Sequence, residues 1–289
     1  VKVLHDLNEG LEACHAAGRA GLLGLVPTMG ALHAGHLSLV TRARAECDSV
    51  AVTIFVNPLQ FGPGEDLERY PRRVDQDCEQ LQAAGADLVL VLPAEQMYPD
   101  GFATNVTQER LTTVLEGAAR PGHFDGVLTV VAKLFGIAGP CRAFFGRKDF
   151  QQTVVVRRMV ADLHLAVDVV VCETQRDTDG LALSSRNAYL TPEQRARGLS
   201  LVAALSRCQE LFESGQTDGP TLTAAMESVL ADGLGRPPDY AALVDASSLA
   251  PVTRATAGDV AVVAGRVGKT RLLDNHVLGG PLGGFPEAG

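Results

Sequence analysis

His33 and His36 stand three residues apart in the stretch Val26-Pro-Thr-Met-Gly-Ala-Leu-His-Ala-Gly-His36. An apolar run at 22–26 precedes it, and an amphipathic segment with Leu37, Val40, Ala43 and Cys47 follows. A strand, a tight glycine turn and a helix are therefore predicted. A strand feeding a helix N-terminus gathers unpaired backbone N–H groups and the positive end of the helix dipole, which suits an anion. Gly30 and Gly35 lack Cβ atoms, so a base or a phosphate can come close to the backbone there. On a helix the two imidazoles would share one face, each able to donate a hydrogen bond, and a phosphate would favour their cationic forms. The same histidines also read as polar caps of an ordinary βα turn. A zinc-protease helix needs His at i and i+4 with Glu between them; Ala34 and Gly35 intervene here, and no metal site is expected.

Other stretches carry compatible groups. Asn57 and Gln60 lie in Phe55-Val-Asn-Pro-Leu-Gln-Phe-Gly62, and their amides could read the hydroxyls of a small substrate. Asn-Pro and the glycines read equally well as turn chemistry. Arg120-Pro-Gly-His-Phe-Asp-Gly-Val127 leads into apolar residues at helical spacing, a core helix; His123 is read as a local structural histidine. Residues 143–152 form a short strand, a turn at Gly146 and a helix, where Lys148 could meet phosphate as a mobile point charge. Asp149 reads as a helix cap. In Asp179-Gly-Leu-Ala-Leu-Ser-Ser-Arg-Asn187, Ser184, Ser185 and Arg186 could hold triphosphate oxygens through charge-assisted bonds, or form a solvated loop.

These groups need a scaffold. Apolar runs at 22–26, 50–56, 88–92 and 167–171, with helical patterns between them, imply a parallel sheet covered on both faces. Ligands of such sheets sit beyond the carboxyl ends of the strands, where chain order reverses. From about residue 176 the pattern changes to helices at 192–214 and 220–230 and short strands at 240–244, 260–263 and 270–273. The expected fold class is thus α/β, a Rossmann-like doubly wound sheet over 1–175 with a smaller C-terminal α+β domain over 176–289. The cleft between them would be a natural active site, with the Ser184 loop at its hinge. The Gly- and Pro-rich tail, about 279–289, is expected to be disordered.

At 289 residues the chain is long enough for two domains, and 46% hydrophobic with 20% charged residues is ordinary for a soluble globular protein. A formal net charge of -9 argues against nucleic acid or a membrane surface as a general partner. The six cysteines form no Cys-x-x-Cys pair, so reduced, cytoplasmic thiols are expected. No signal peptide is legible, and the apolar runs are strand-length.

Taken together, Pro27-Thr-Met-Gly-Ala-Leu-His-Ala-Gly-His36, the 55–62 loop, residues 120–127, 144–152 and 184–187 resemble the pantothenate synthetase (pantoate–β-alanine ligase) family. That family belongs to the nucleotidyltransferase superfamily, which shares a His-x-Gly-His turn with class I aminoacyl-tRNA synthetases. The resemblance runs over roughly residues 20 to 275. It implies ATP-dependent condensation of pantoate with β-alanine through pantoyl adenylate, with Mg²⁺ accompanying ATP, and a homodimer. It implies catalytic roles for His36 (the family's proton donor), His33 and Lys148. ATP contacts are implied for Met29, Gly30, Ala31, Leu32, His33, Ala34, Gly35, His36, Gly146, Arg147, Lys148, Asp149, Gln175, Leu183, Ser184, Ser185 and Arg186. Pantoate and β-alanine are implied for Gln60, Gln152 and Asn57. Arg147 departs from the family's Glu at that position, so no carboxylate role can be carried over there; Leu183 replaces a Met at similar volume. Two other readings stay open from the residues: a nucleotidyltransferase that moves a nucleotide onto a phosphate and stops, and a nucleotide-binding protein without turnover.

Overall fold

The apolar runs become the centre of a six-stranded parallel sheet in the computed structural model, which describes residues 1–282. The chain runs β1 (Lys2–Leu4), α1 (Leu7–Ala20), β2 (Leu23–Thr28), α2 (Ala34–Glu46), β3 (Ser49–Ile54), α3 (Val74–Ala83) and β4 (Leu88–Val91). Short helices α4 (Ala94–Met97) and α5 (Glu116–Ala119) precede α6 (His123–Ala138), β5 (Cys141–Gly146), α7 (Phe150–Asp162) and β6 (Val167–Cys172). The sheet order is β1-β4-β3-β2-β5-β6, all parallel. From β2 the chain steps through β3 to β4 on one side, then crosses to β5 on the other. Helix α2 packs against α3 and against β2, β3 and β5, while α1 packs against α6, as right-handed crossovers require. The order reverses at β2, so the turn after Thr28 lies at the switch point where such sheets bind ligands.

Strands buried on both faces explain the continuous apolar runs: Val26, Val50, Val52 and Val89 are fully enclosed, with Val40, Leu81 and Phe144 in the same core. Capping fixes where α1 begins, since Asp6 accepts the N–H groups of Asn8 and Glu9, both at 3.0 Å.

A second compact unit follows. Its elements are α8 (Pro192–Gly198), α9 (Ser200–Glu213), α10 (Gly219–Leu234), β7 (Tyr240–Val244), β8 (Val260–Val267) and β9 (Thr270–Val277). The three strands form an antiparallel sheet, β7-β8-β9, and Leu205, Leu222, Met226 and Leu230 bury themselves against Val263. The fold is the expected one: a Rossmann-like sheet with a smaller α+β unit. The units divide as Val1–Gly146 with Gln152–Cys172, and Arg147–Gln151 with Glu173–Gly289. Segment 147–151, placed by sequence in the first domain, clusters with the second unit, where Asn275 of β9 holds its backbone.

Three details differ from the pattern reading. The helix expected over 192–214 is interrupted at Leu199, beside the weak helix former Gly198. Strands β8 and β9 run on to Val267 and Val277, because Asp274, Asn275 and His276 are buried with hydrogen-bond partners instead of ending the strand. The tail expected to be disordered lies from 283 outside the described residues; before it, Gly279 donates its N–H to Gln209 at 3.1 Å.

Candidate active site

In the first unit, Thr28 ends β2 with its hydroxyl donating to Thr53 O at 2.7 Å and accepting the Gly30 N–H at 3.1 Å. Gly30 and Ala31 then take left-handed conformations, φ 78° and 52°. A Cβ at Gly30 would sit 2.9 Å from Asp77 Oδ2 and 3.1 Å from Ile54 Cγ2, so both the conformation and the space require glycine. Ala31 carries a Cβ into that region at a penalty of roughly 1 kcal/mol or more. The turn is held by Asp77 on α3, only 2% exposed, whose carboxylate accepts the N–H of Ala31 at 2.8 Å and of Leu32 at 2.9 Å.

His33 is not on the helix. Its extended backbone, φ -140° and ψ 172°, makes it the N-cap of α2. The shared helix face is therefore corrected to a reciprocal cap: His33 Nδ1 accepts the Gly35 N–H at 3.1 Å, and His36 Nδ1 accepts the His33 N–H at 3.4 Å. The ring centroids are 4.0 Å apart. Because both Nδ1 atoms accept, each neutral ring carries its proton on Nε2. The polar-cap reading thus describes the geometry, and the cap itself orients two Nε2–H donors.

Most of the backbone N–H groups expected to lie unpaired at this turn are engaged within it. Those of Gly30, Ala31, Leu32, His33, Gly35 and His36 are bonded to Thr28, Asp77, Asp77, His36, His33 and the His33 carbonyl respectively.

Gln60 ends the short 3₁₀ turn Pro58–Gln60. Its Nε2 lies 3.1 Å from Met29 Sδ, joining the 57–60 loop to the signature turn. Asn57, expected to bind substrate, is 1% exposed and fully engaged. Its Nδ2 donates to Gln60 Oε1 at 3.0 Å and Gly126 O at 3.1 Å, while its Oδ1 accepts from Tyr98 Oη at 2.7 Å and Leu59 N–H at 3.3 Å. In these contacts Asn57 orients Gln60. Gly126 permits this approach, since a Cβ there would sit 2.2 Å from Leu59 O.

The Gln60 backbone is held as firmly. Its carbonyl accepts from His123 Nδ1 at 2.8 Å and Arg120 Nη2 at 3.1 Å. Arg120 also pairs with Glu65 at 2.5 Å and Glu116 at 3.4 Å, and its Nη1 donates to His123 Nε2 at 3.0 Å. Burial, reinforced by the Arg120 charge and opposed by the Gln60 carbonyl, pushes His123 down to about 4. His123 is a neutral positioning histidine. Gln152 is half-buried on α7 and makes none of these bonds.

In the second unit, residues 147–149 form a 3₁₀ turn after Gly146, the last residue of β5. Lys148 Nζ lies 3.5 Å from Asp149 Oδ1, and Arg147 pairs with Glu173 at 2.5 Å. Arg147 has thus acquired a carboxylate partner of its own. Leu183 donates its N–H to Gln175 O at 2.9 Å, and Ser184 Oγ accepts the Arg186 N–H at 3.3 Å as the cap of the 3₁₀ turn Ser185–Tyr189. Two serines and an arginine are thereby presented on a tight, capped turn. Asp77 and Tyr98 escaped the sequence reading, since single polar residues remote in sequence carry no periodic or motif signal; Arg120 lay within a motif, but its bonds to Gln60, Glu65 and Glu116 were not legible there.

The model of the family described as pantoate-beta-alanine ligase matches residues 1–277. The pantothenate synthetase of Chloroflexus aurantiacus is 52% identical over 281 residues, 97% of this chain and 99% of that protein. That of Koribacter versatilis is 49% identical over 279 residues, 96% of each. Among solved structures, a pantothenate synthetase from Thermus thermophilus superposes with a TM-score of 0.91 at 48% identity, covering 96% of this chain and 99% of that one. A Francisella tularensis pantoate-beta-alanine ligase complexed with beta-gamma ATP and beta-alanine gives 0.76 at 31%, covering 98% and 99%. A family model over nearly the whole chain, and relatives of about half identity along their full lengths, establish that this chain is a member of the pantoate–β-alanine ligase family of enzymes.

Proposed function

We propose that the chain joins pantoate to β-alanine at the expense of ATP, giving pantothenate, AMP and pyrophosphate by way of pantoyl adenylate. The observation that carries this reading is the reciprocal histidine cap at the end of β2, which fixes two Nε2–H donors at the switch point of a nucleotide-binding type of sheet. In the first step a pantoate carboxylate oxygen bonds to the α-phosphorus as the bond to pyrophosphate breaks. In the second the β-alanine amine bonds to the acyl carbon, AMP leaves, and the amine gives up a proton. Both nucleophiles arrive with the substrates, so the protein supplies position and charge stabilisation.

In this account the Nε2–H groups of His33 and His36 stabilise the α-phosphate, His36 serving as proton donor. Met29, Gly30, Ala31, Leu32, Ala34 and Gly35 line the nucleotide. Lys148, Ser184, Ser185 and Arg186 hold the β- and γ-phosphates, with Gly146, Arg147, Asp149, Gln175 and Leu183 shaping their surroundings. Gln60 and Gln152 bind pantoate's hydroxyls. The ATP and β-alanine ligands of the Francisella relative support the substrate assignment. Mg²⁺ accompanies ATP in this reading, held mostly by phosphate oxygens and water. A cytoplasmic homodimer completes the reading; free thiols at all six cysteines are compatible with that compartment.

His36→Ala and Lys148→Ala should each lower pantoate-dependent pyrophosphate release by at least about 100-fold, the scale for losing one stabilising donor. Near-wild-type release from either folded variant would contradict the assignment.

A further inference from the structure

We infer that Asn275 is a positioning residue that sets the Lys148 turn, and that it does so from a buried ion pair which also anchors the approach to the Ser184 loop. This rests on the phosphate role proposed above for Lys148. Asn275 lies on β9 and is 4% exposed. Both hydrogens of its Nδ2 are committed, one to Arg147 O at 2.9 Å and the other to Lys148 O at 2.8 Å. Two bonds from one amide to successive carbonyls fix the plane of the amide and the path of the turn together. The amide cannot be reversed, because its oxygen would then face two carbonyl oxygens. Asn275 Oδ1 is buried without a hydrogen-bond partner. That is a destabilising arrangement which hydrophobic packing alone would not select.

The residue before it secures the other side of the strand. Successive side chains of a strand point to opposite faces, and Asp274 pairs with Arg176 through two bonds, 2.5 and 3.0 Å, with side chains 3% and 1% exposed. Arg176 also donates to Gly180 O at 3.2 Å and bridges to Ala182, two residues before Ser184. Asp274 Oδ1 in turn accepts the Asn275 N–H at 2.8 Å. The two segments that carry the proposed phosphate ligands therefore share one buried support in the second unit. A lysine is a flexible point charge, and its use as a fixed phosphate ligand demands that its backbone be held. A displacement of about 1 Å can lower turnover by as much as 100-fold.

The test replaces Asn275 in the full-length protein by Ala and by the isosteric Asp, which has no amide donor. Hydrogen exchange of the 147–153 peptide should accelerate at least 10-fold in both, while the β7–β8 peptides stay protected as wild type. Pantoate-dependent pyrophosphate release should fall 10- to 100-fold in kcat with little change in the KM for pantoate. In the Lys148→Ala background the further change Asn275→Ala should alter turnover less than twofold, since Asn275 acts through Lys148. Unchanged exchange at 147–153, or losses that multiply in the double variant, would overturn the inference. The exchange arm needs no turnover, so wild-type inactivity with pantoate would count against the proposed reaction while leaving the positional claim decided by exchange. If the Ala variant does not fold, the Asp variant decides both arms.

Discussion

His36 Nδ1 accepts the backbone N–H of His33 at 3.4 Å, while His33 caps the helix that carries His36. Each ring is thus oriented through its Nδ1 side. Structure and catalysis can be separated at His33, because Asn is among the best N-caps and has no imidazole. His33→Asn should keep wild-type stability to within a few tenths of a kcal/mol, whereas His33→Ala should lose about 1 kcal/mol. Both should slow adenylation, by 10-fold or more. Denaturant melts beside single-turnover pyrophosphate release check this; full turnover in His33→Asn would make His33 a cap alone.

Asp77 should matter out of proportion to its distance in sequence. Asp77→Ala leaves the N–H groups of Ala31 and Leu32 without their buried acceptor and removes the clamp on two left-handed residues. Hydrogen bonds to a charged group contribute about 1.5 to 3 kcal/mol each, so the loss of two predicts a destabilisation of at least about 3 kcal/mol. The KM for ATP should rise as the turn loosens. A variant with unaltered stability and ATP response would show that the turn holds itself.

His123 makes stability depend on pH. Its pKa falls from 6.5 to about 4 on folding, so between those values the unfolded chain binds a proton that the folded chain does not. Its contribution is fully present above pH 6.5 and is lost as the pH falls through 4, up to about 3 kcal/mol at 1.36 kcal/mol per unit. His123→Gln should flatten the stability profile between pH 6.5 and 4 relative to wild type. Parallel profiles for the two proteins would rule out this source.

Strands β2, β3, β4 and β6 were legible because strands buried on both faces are written as unbroken apolar runs. β1 was not: Lys2-Val-Leu4 is too short for any period to register. The site divides in the same way. Motif residues such as His33, His36, Gln60 and Lys148 were visible, but what holds them was not. That the Asn57 amide is buried and saturated was not visible either, because an exposed amide and a buried one have the same letter. Asp77 and Asn275 act across 46 and 127 residues of chain, distances at which local pattern carries no information. The histidine spacing was read as a helix face because cap dihedrals are a tertiary outcome of where β2 ends and α2 begins.

The most direct measurement is pyrophosphate release from ATP and Mg²⁺ with pantoate, run with and without β-alanine, with AMP and pantothenate followed by mass spectrometry. The account predicts release that requires pantoate, a pantoyl adenylate detectable when β-alanine is withheld, and pantothenate with AMP only when it is added. Pyrophosphate release that ignores pantoate, or pantothenate formed without AMP, would contradict it.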